Sequence, residues 1–333
     1  MMRIDQIWNA LEDEGPSNSG LLYRRYSGSF LPNLFVALKI PEKFRGIIVL
    51  ISNEIEVDIT AYDNLKDIAI ELRPDEFNKN KNVLFIKLLA SEHKDIFSVL
   101  CEDLLSNITS KTSERELGQI VLNRFERWKA LFNKITSQGL LPEEQRGLFG
   151  ELFFLRKYLQ FEYDYQFVLS TWVGTAKEVR DFQMNNWALE VKTTHGNNHQ
   201  KVQISSERQL DTTHLDKLFL YHLSLEKVHE SGESLNQIIA SIGILLKADA
   251  IALNRFKSKL YEAGYFDQNF ALYDSVGYFI RQDTFYLVEN GFPRIQENEI
   301  RSGVGDVKYS IILSQCETFK QTEQEVFETL TLQ

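Results

Sequence analysis

A chain of 333 residues is more than one hydrophobic core ordinarily organises and about enough for two domains. Hydrophobic residues make up 43%, charged residues 25% and aromatics 12%, so the chain can bury a substantial core, which excludes disordered and fibrous classes. The formal net charge of -10, from 37 Lys and Arg against 47 Asp and Glu, excludes a protein that coats nucleic acid by bulk charge and leaves only local cationic patches open.

The chain begins Met1-Met2-Arg3-Ile4-Asp5 and continues with Ile4, Ile7, Trp8 and Leu11 at helical spacing, where a signal peptide needs an uninterrupted apolar run; secretion is not expected. No charge-free stretch exceeds thirteen residues, as at 234–246, which is short of the ~20 that span a bilayer, so no membrane association is expected either. Only Cys101 and Cys316 are present, which rules out a disulfide framework and fits a cytoplasmic protein.

Apolar or alternating runs at 34–40, 46–51, 68–72 and 83–89, separated by turn formers such as Asp75-Glu76-Phe77-Asn78, predict a β-rich N-terminal domain over 1–92. From Ile96 the period changes to a helical stripe (Phe97, Leu100, Cys101, Leu104, Leu105, Ile108), and Ser113 with Glu116 forms a capping box for a second helix, giving connecting helices over 93–140. A third helix is predicted from Leu141-Pro142-Glu143-Glu144 to about Gln160, because proline and acids suit a first turn. Segments 167–173, 179–184 and 187–194 read as strands, 206–210 as a short helix with Ser206 and Gln209 at capping-box spacing, and 218–225 as a buried strand. The order helix, three strands, helix, strand over 141–230 implies a mixed sheet with helices packed on it. Beyond it, two helices within 234–264 and strands at 270–280, 284–288 and 307–313 form a C-terminal extension over 231–333 that completes the second domain. The fold class is α/β in this core and α+β overall.

The chemistry concentrates in 179–194. Asn185-Asn186 fits a two-residue hairpin turn, and that register pairs residues whose numbers sum to 371: Met184 with Trp187, Phe182 with Leu189, Asp181 with Glu190. Lys192 shares the face of Glu190, and Arg180 is a misfit on the apolar face. Two directly opposed carboxylates repel by roughly 3 kcal/mol at an effective dielectric near 20. A divalent cation removes that repulsion, and hard oxygen ligands select Mg²⁺ or Mn²⁺. The ammonium of Lys192 can then hold an attacking water or stabilise charge on a phosphate. Glu151 strengthens the pattern, because an acid inside the apolar helix turn Gly147-Leu148-Phe149-Gly150-Glu151-Leu152-Phe153-Phe154-Leu155 needs a compensating partner and shares the stripe of Leu148 and Leu155.

With Gly147-Leu148-Phe149-Gly150-Glu151, Arg180-Asp181-Phe182, Leu189-Glu190-Val191-Lys192-Thr193-Thr194 and Ser205-Ser206-Glu207-Arg208-Gln209-Leu210, the chain resembles the PD-(D/E)XK nuclease-like superfamily over about 142–226. It is similar, over most of its length, to an uncharacterised bacterial family assigned to that superfamily. The resemblance implies a restriction-endonuclease-like αβββαβ core. It also implies metal binding by Asp181 and Glu190, a catalytic Lys192, Glu151 as the supporting helix acid, and DNA-directed defence or restriction. One departure is that Asp181 follows Arg180 and not proline.

Bland alternatives accompany each residue. Asp181 and Glu190 can be solvated acids balanced by Lys192 and Arg180, Lys192 a salt-bridge partner, and Gln209 either an accessory site residue or a helix cap. His195 and His199 have zinc-helix spacing, but Gly196-Asn197-Asn198 between them forms a loop, so no zinc site is expected; with Lys201 this segment either contacts phosphates or is a polar turn. Residues 174–210 hold five bases (Lys177, Arg180, Lys192, Lys201, Arg208) against four acids (Glu178, Asp181, Glu190, Glu207), a surface that turns cationic once two acids bind metal. Phe30, Phe35, Tyr273, Tyr278 and Phe279 read as core and not as a base-stacking platform. The expected function is a Mg²⁺-dependent (or Mn²⁺-dependent) deoxyribonuclease. The rivals are a non-catalytic nuclease-fold scaffold that joins defence-system partner proteins, and an RNA-directed nuclease. DNA is the expected partner, and a homodimer would allow both strands to be cut.

Overall fold

The computed structural model of the protein describes residues 4–14, 20–27, 31–55, 57, 59, 67–106, 108, 112–132, 139–162, 164–176, 178–196 and 200–331. Phe30, Lys177 and His199, considered above, lie outside the described residues. The chain divides into two compact units, Met1–Ile135 and Thr136–Gln333.

In the first unit α1 (Ile4–Asp13) buries Ile4, Ile7, Trp8 and Leu11, the stripe that its spacing predicts. Strands β1 (Gly20–Ser27), β2 (Leu31–Ile40), β3 (Phe44–Ser52), β4 (Ile68–Pro74) and β5 (Lys81–Leu88) form an antiparallel sheet ordered β1-β2-β3-β5-β4. The sequence reading lacks β1, an edge strand whose Tyr23, Arg24 and Arg25 are exposed, so that burial imposes no alternation on it. Trp8 Nε1 donates to the carbonyls of Ala37 (3.0 Å) and Gly46 (3.1 Å), tying α1 to the sheet. Helices α2 (Lys94–Ser106) and α3 (Glu114–Phe132) follow. The predicted capping box is formed: Ser113 N donates to Glu116 Oε2 at 2.8 Å, and Glu116 N to Ser113 Oγ at 3.3 Å.

The second unit opens with α4 (Pro142–Phe161), its proline in the first turn and Leu141 N donating to Glu144 Oε2 at 2.8 Å. The segment expected as a strand at 167–173 is instead helix α5 (Tyr165–Thr171). Asp164 caps it, accepting from Phe167 N at 2.9 Å, and a short apolar run carries no periodicity that separates helix from strand. Of the strand expected at 179–184 only β6 (Phe182–Gln183) forms, because the Asp181 carbonyl accepts from Val173 N and Gly174 N and turns the chain away. It pairs with β7 (Trp187–His195) in the predicted register, Phe182 opposite Leu189 and Gln183 opposite Ala188. There follow β8 (Lys201–Ile204), a 3₁₀ turn at Glu207–Leu210 and β9 (Lys217–His229), which lies parallel to β7. Then come β10 (Glu233–Ser234), α6 (Leu235–Leu245), α7 (Ala250–Glu262), β11 (Val276–Leu287), β12 (Tyr309–Ile312), β13 (Lys320–Gln321) and α8 (Glu323–Thr331). The strands expected at 270–280 and 284–288 resolve into a 3₁₀ turn, Asp267–Leu272, and the single strand β11, bulged between Ile280 and Gln282.

The unit is therefore mixed α+β. Its main sheet runs β10-β11-β9-β7-β6, β13 pairs with β11, and β8 pairs with β12 as a separate ribbon. Alternate residues of β7 feed two cores, as pleating requires. Leu189 and Val191 join the core built by Leu148, Phe149, Leu152, Phe154 and Leu155 of α4, while Ala188 joins Val202, Ile204, Leu220 and Ile311. Tyr273 and Tyr278 are core residues as expected, and Phe35 is partly buried. Phe279 is a correction: at 50% exposure it lies on the outside of the bulged strand. No helix among the described residues is long and apolar enough to cross a membrane.

Candidate active site

Strand β7 supplies two members two residues apart. Glu190 Oε1 and Lys192 Nζ form an ion pair at 2.7 Å, with Glu190 only 2% exposed. Its other oxygen, Oε2, is buried with no hydrogen-bond partner. Lys192 Nζ also donates to Gln209 Oε1 at 3.1 Å, and the same oxygen accepts from Ser205 N at 3.0 Å. Gln209 thus reaches the site from the 3₁₀ turn and also helps to hold the start of that turn, while the cap itself is Ser206 Oγ, which accepts from Arg208 N at 3.3 Å.

Asp181 enters from the bend before β6. Its carboxylate Oδ2 accepts from Val191 N at 2.7 Å, so that it sits against the strand between Glu190 and Lys192. The absence of a side chain at Gly174 permits this: a Cβ there would lie 2.8 Å from Asp181 Oδ1 and 3.0 Å from its Cα. Glu151 comes from α4, and the preceding Gly150 lets that helix close on β7, since a Cβ at 150 would lie 2.3 Å from Thr193 Cγ2. Glu151 Oε2 accepts from Trp172 Nε1 at 2.7 Å, and the Trp172 ring stacks on Phe182.

The electrostatics follow from burial. Desolvation first, and then the nearby Asp181, push the Glu190 carboxyl up to about 8, against the opposing pull of Lys192 and Arg180. Glu151 is raised well above the ordinary carboxylate range by burial and by Asp181, with Glu190 adding to the effect and the Trp172 hydrogen bond and Lys192 opposing it. Burial also raises Asp181, although Lys192 and the Val191 N–H favour its charged form. For Lys192 burial acts the other way, yet Glu190, Asp181 and Glu151 outweigh it and hold the ammonium above its usual value. Three carboxyl groups therefore share one ammonium, a local shortage of positive charge.

The donor set fits a hard divalent cation: carboxylate oxygens with no nitrogen or sulfur ligand among them, and a buried oxygen of Glu190 that nothing satisfies. Among the described residues no group of three or more His, Cys, Asp and Glu side chains stands arranged to hold an ion, and Lys192 stands against Glu190 Oε1. Of the five expected site residues, Glu190, Lys192 and Gln209 are in direct contact, Asp181 lies against the same strand at Val191 N, and Glu151 is near enough to act on their charges while its own hydrogen bond goes to Trp172. His195 is exposed at the end of β7, outside this group.

Sequence reasoning missed Trp172, Gly174 and His222. His222 is the cross-strand partner of Lys192, 1% exposed, with its Nε2 2.8 Å from Thr194 Oγ1. A lone histidine inside an apolar strand was its only signal, and such a residue is more often core.

A family model described as "Putative PD-(D/E)XK family member, (DUF4420)" matches residues 4–314 of the chain. No curated protein and no solved structure matches it.

Proposed function

The chain belongs to this PD-(D/E)XK family, DUF4420, and from that premise we propose that it is a metal-dependent nuclease that hydrolyses phosphodiester bonds, with DNA as substrate. The observation that carries the reading is the convergence of Glu151, Asp181 and Glu190 on Lys192, with Glu190 Oε2 unsatisfied. In this reading α4, β6, β7, the 3₁₀ turn and β9 correspond to the superfamily core, with helix α5 standing where its first strand was expected and β8 paired with β12 outside the main sheet. A role in restriction or phage defence is part of the same proposal and rests on the family alone.

Asp181 and Glu190 would hold Mg²⁺ or Mn²⁺, and Glu151 would complete the acid set from the helix side. When bound, such an ion polarises a phosphoryl oxygen and lowers the pKa of a coordinated water. Lys192, freed from its pairing with Glu190, orients the attacking water or meets charge developing on the phosphate. Gln209 keeps the lysine directed while that happens. Trp172 holds the Glu151 carboxyl in place, and the setting of the acids, with Glu190 buried and Glu151 and Asp181 half-buried, strengthens each interaction by limiting water.

A second reading, a nuclease-fold scaffold without catalysis, is favoured by two observations: the Glu190–Lys192 pair is closed, and no described group is set to enclose an ion. Incubating the purified protein with plasmid and linear DNA, with and without Mg²⁺ and EDTA, decides between them. Cleavage should need the metal and drop at least ~100-fold in Glu190→Ala and Lys192→Ala while both stay folded. Metal binding without cleavage of DNA but with cleavage of RNA would move the substrate class. Undiminished cleavage by Glu190→Ala would remove this site from the reaction, and a protein that binds no divalent metal would establish the scaffold.

A further inference from the structure

Arg180 stands where the superfamily pattern has proline, and the hairpin register alone would place it on an apolar face. The structure gives it a different position. Residues 179–181 form a bend outside β6, and the guanidinium extends to the far end of the 3₁₀ turn at Glu207–Leu210. There Nε donates to the Gln209 carbonyl at 3.2 Å, Nη2 donates to the carbonyls of Arg208 (3.2 Å) and Asp211, and Nη1 reaches Gln183 Oε1 at 3.4 Å. Arg294 takes the remaining carbonyl, Leu210, at 2.8 Å and also holds Thr212 Oγ1 at 3.0 Å. The final carbonyls of a helical turn have no partner within the turn, so they need donors from elsewhere. Here two arginines donate to every carbonyl from 208 to 211, and that of Arg208 also accepts from Asp211 N at 3.4 Å.

The two arginines differ in what they couple. Arg294 comes from outside the site. Arg180 is the residue before Asp181, and the main-chain carbonyl it grips belongs to Gln209, whose side chain holds Lys192 Nζ. A rigid, planar guanidinium with several donors suits such a task, because it fixes direction as well as distance. We propose that Arg180 is a positioning residue that locks the 3₁₀ turn to the Asp181 bend and thereby aims Gln209 at Lys192.

As a contribution to catalysis this rests on the nuclease reading; the coupling from Arg180 through Gln209 to Lys192 does not. The experiment therefore reads Lys192 directly, in the full chain without metal or substrate, by its rate of acylation with an amine-reactive reagent at one fixed pH, followed by peptide mass spectrometry. Gln209→Ala should raise the Lys192 rate several-fold, Arg180→Ala should raise it to a similar degree, and Arg180→Ala/Gln209→Ala should go no higher than the larger single effect. Thermal midpoints separate this from general loosening, and exposed lysines outside the site, such as Lys247, serve as internal references that should not change. Should Arg180→Ala fail to fold, Arg180→Lys replaces it in the same cycle, since one ammonium cannot hold three diverging carbonyls. An unchanged Lys192 rate in the Arg180 variant, or effects that multiply in the double variant, would overturn the proposal. Non-additive labelling in a protein that cleaves no nucleic acid would uphold the clamp while the nuclease reading fell.

Discussion

Glu190 shows how a single residue links the stability of this protein to its proposed chemistry. Its carboxyl is raised from an unfolded value near 4.5 to about 8, chiefly by burial and then by Asp181. A folded-state pKa above the unfolded one means that the native state binds the proton more tightly. That contribution is fully present below about pH 4.5 and is lost as pH rises towards about 8. The thermal midpoint of metal-free protein should therefore fall between pH 5 and 8. Glu190→Gln should flatten the fall and raise the midpoint at pH 8, and Mg²⁺ or Mn²⁺ should restore wild-type stability most at the high end. A metal-free midpoint that climbs over this range would contradict a buried, underpartnered carboxyl. Glu151 makes a companion case. Glu151→Gln keeps an oxygen for Trp172 Nε1, so it should leave the metal-free midpoint level or higher while weakening Mn²⁺ binding about 10–100-fold in a titration. A lowered midpoint with unchanged affinity would make Glu151 structural. The acids and Lys192 were legible in the sequence because charge in an apolar run, or opposed across a hairpin, calls for a partner. Trp172 and Gly174 were not, since an indole N–H and a missing side chain act only through the packing of the folded chain, and Arg180 showed only as a misfit because its partners lie on the 3₁₀ turn, remote in sequence.

The elements that read correctly, α1 to α4, α6, α7, β2 to β5, β7, β9 and β12, are mostly those in which burial writes one period along the chain. Errors fell where a local hydrogen bond outweighs hydrophobicity, as where the Asp164 cap makes α5 a helix and the Asp181 carbonyl shortens β6 to two residues. The packing of the Leu148–Leu155 face of α4 on the sheet was legible, but not the close approach at Gly150 that sets the distance from Glu151 to the strand. Gly150 is the control point of that contact. Alanine at 150 would gain about 0.5–1 kcal/mol of helix propensity, but its Cβ meets Thr193 Cγ2 at 2.3 Å and Val191 Cγ1 at 3.4 Å, and overpacking of this kind costs typically 1–3 kcal/mol. Gly150→Ala should thus be net destabilising in denaturant unfolding and should weaken Mn²⁺ binding by displacing Glu151. Thr193→Ser removes the offending methyl and should recover most of both losses in the double variant. A Gly150→Ala protein as stable as the wild type would show that the helix can move away from the strand at no cost.

At the scale of the whole molecule, strand order could not be read from the sequence. Strand β11 begins 47 residues after β9 ends, yet it pairs with β9 along almost its full length, and β12 travels further to pair with β8. Only the order of elements, not their adjacency, is written in local periodicity. One consequence is that the C-terminal segment belongs to the structure around the site and is not an appendage: Arg294 fixes Leu210, and Val307 N donates to Glu207 Oε2 at 2.8 Å. Every residue assigned to the site, with the arginines that brace it, falls within Thr136–Gln333, a unit of ordinary domain size with its own two cores. Expressed alone, this unit should unfold in one cooperative transition and bind Mn²⁺ within about threefold of the full chain, because affinity is set by local ligands and their bracing. Ending the chain before Arg294 should instead abolish cooperative unfolding, since it strips β12 from β8 and leaves the Leu210 carbonyl without its donor. Calorimetry and Mn²⁺ titration of both truncations check the pair of outcomes. Loss of metal binding in Thr136–Gln333 despite cooperative unfolding would mean that Met1–Ile135 contributes to the site, and cooperative, metal-binding behaviour in the shorter piece would mean that the bracing is dispensable.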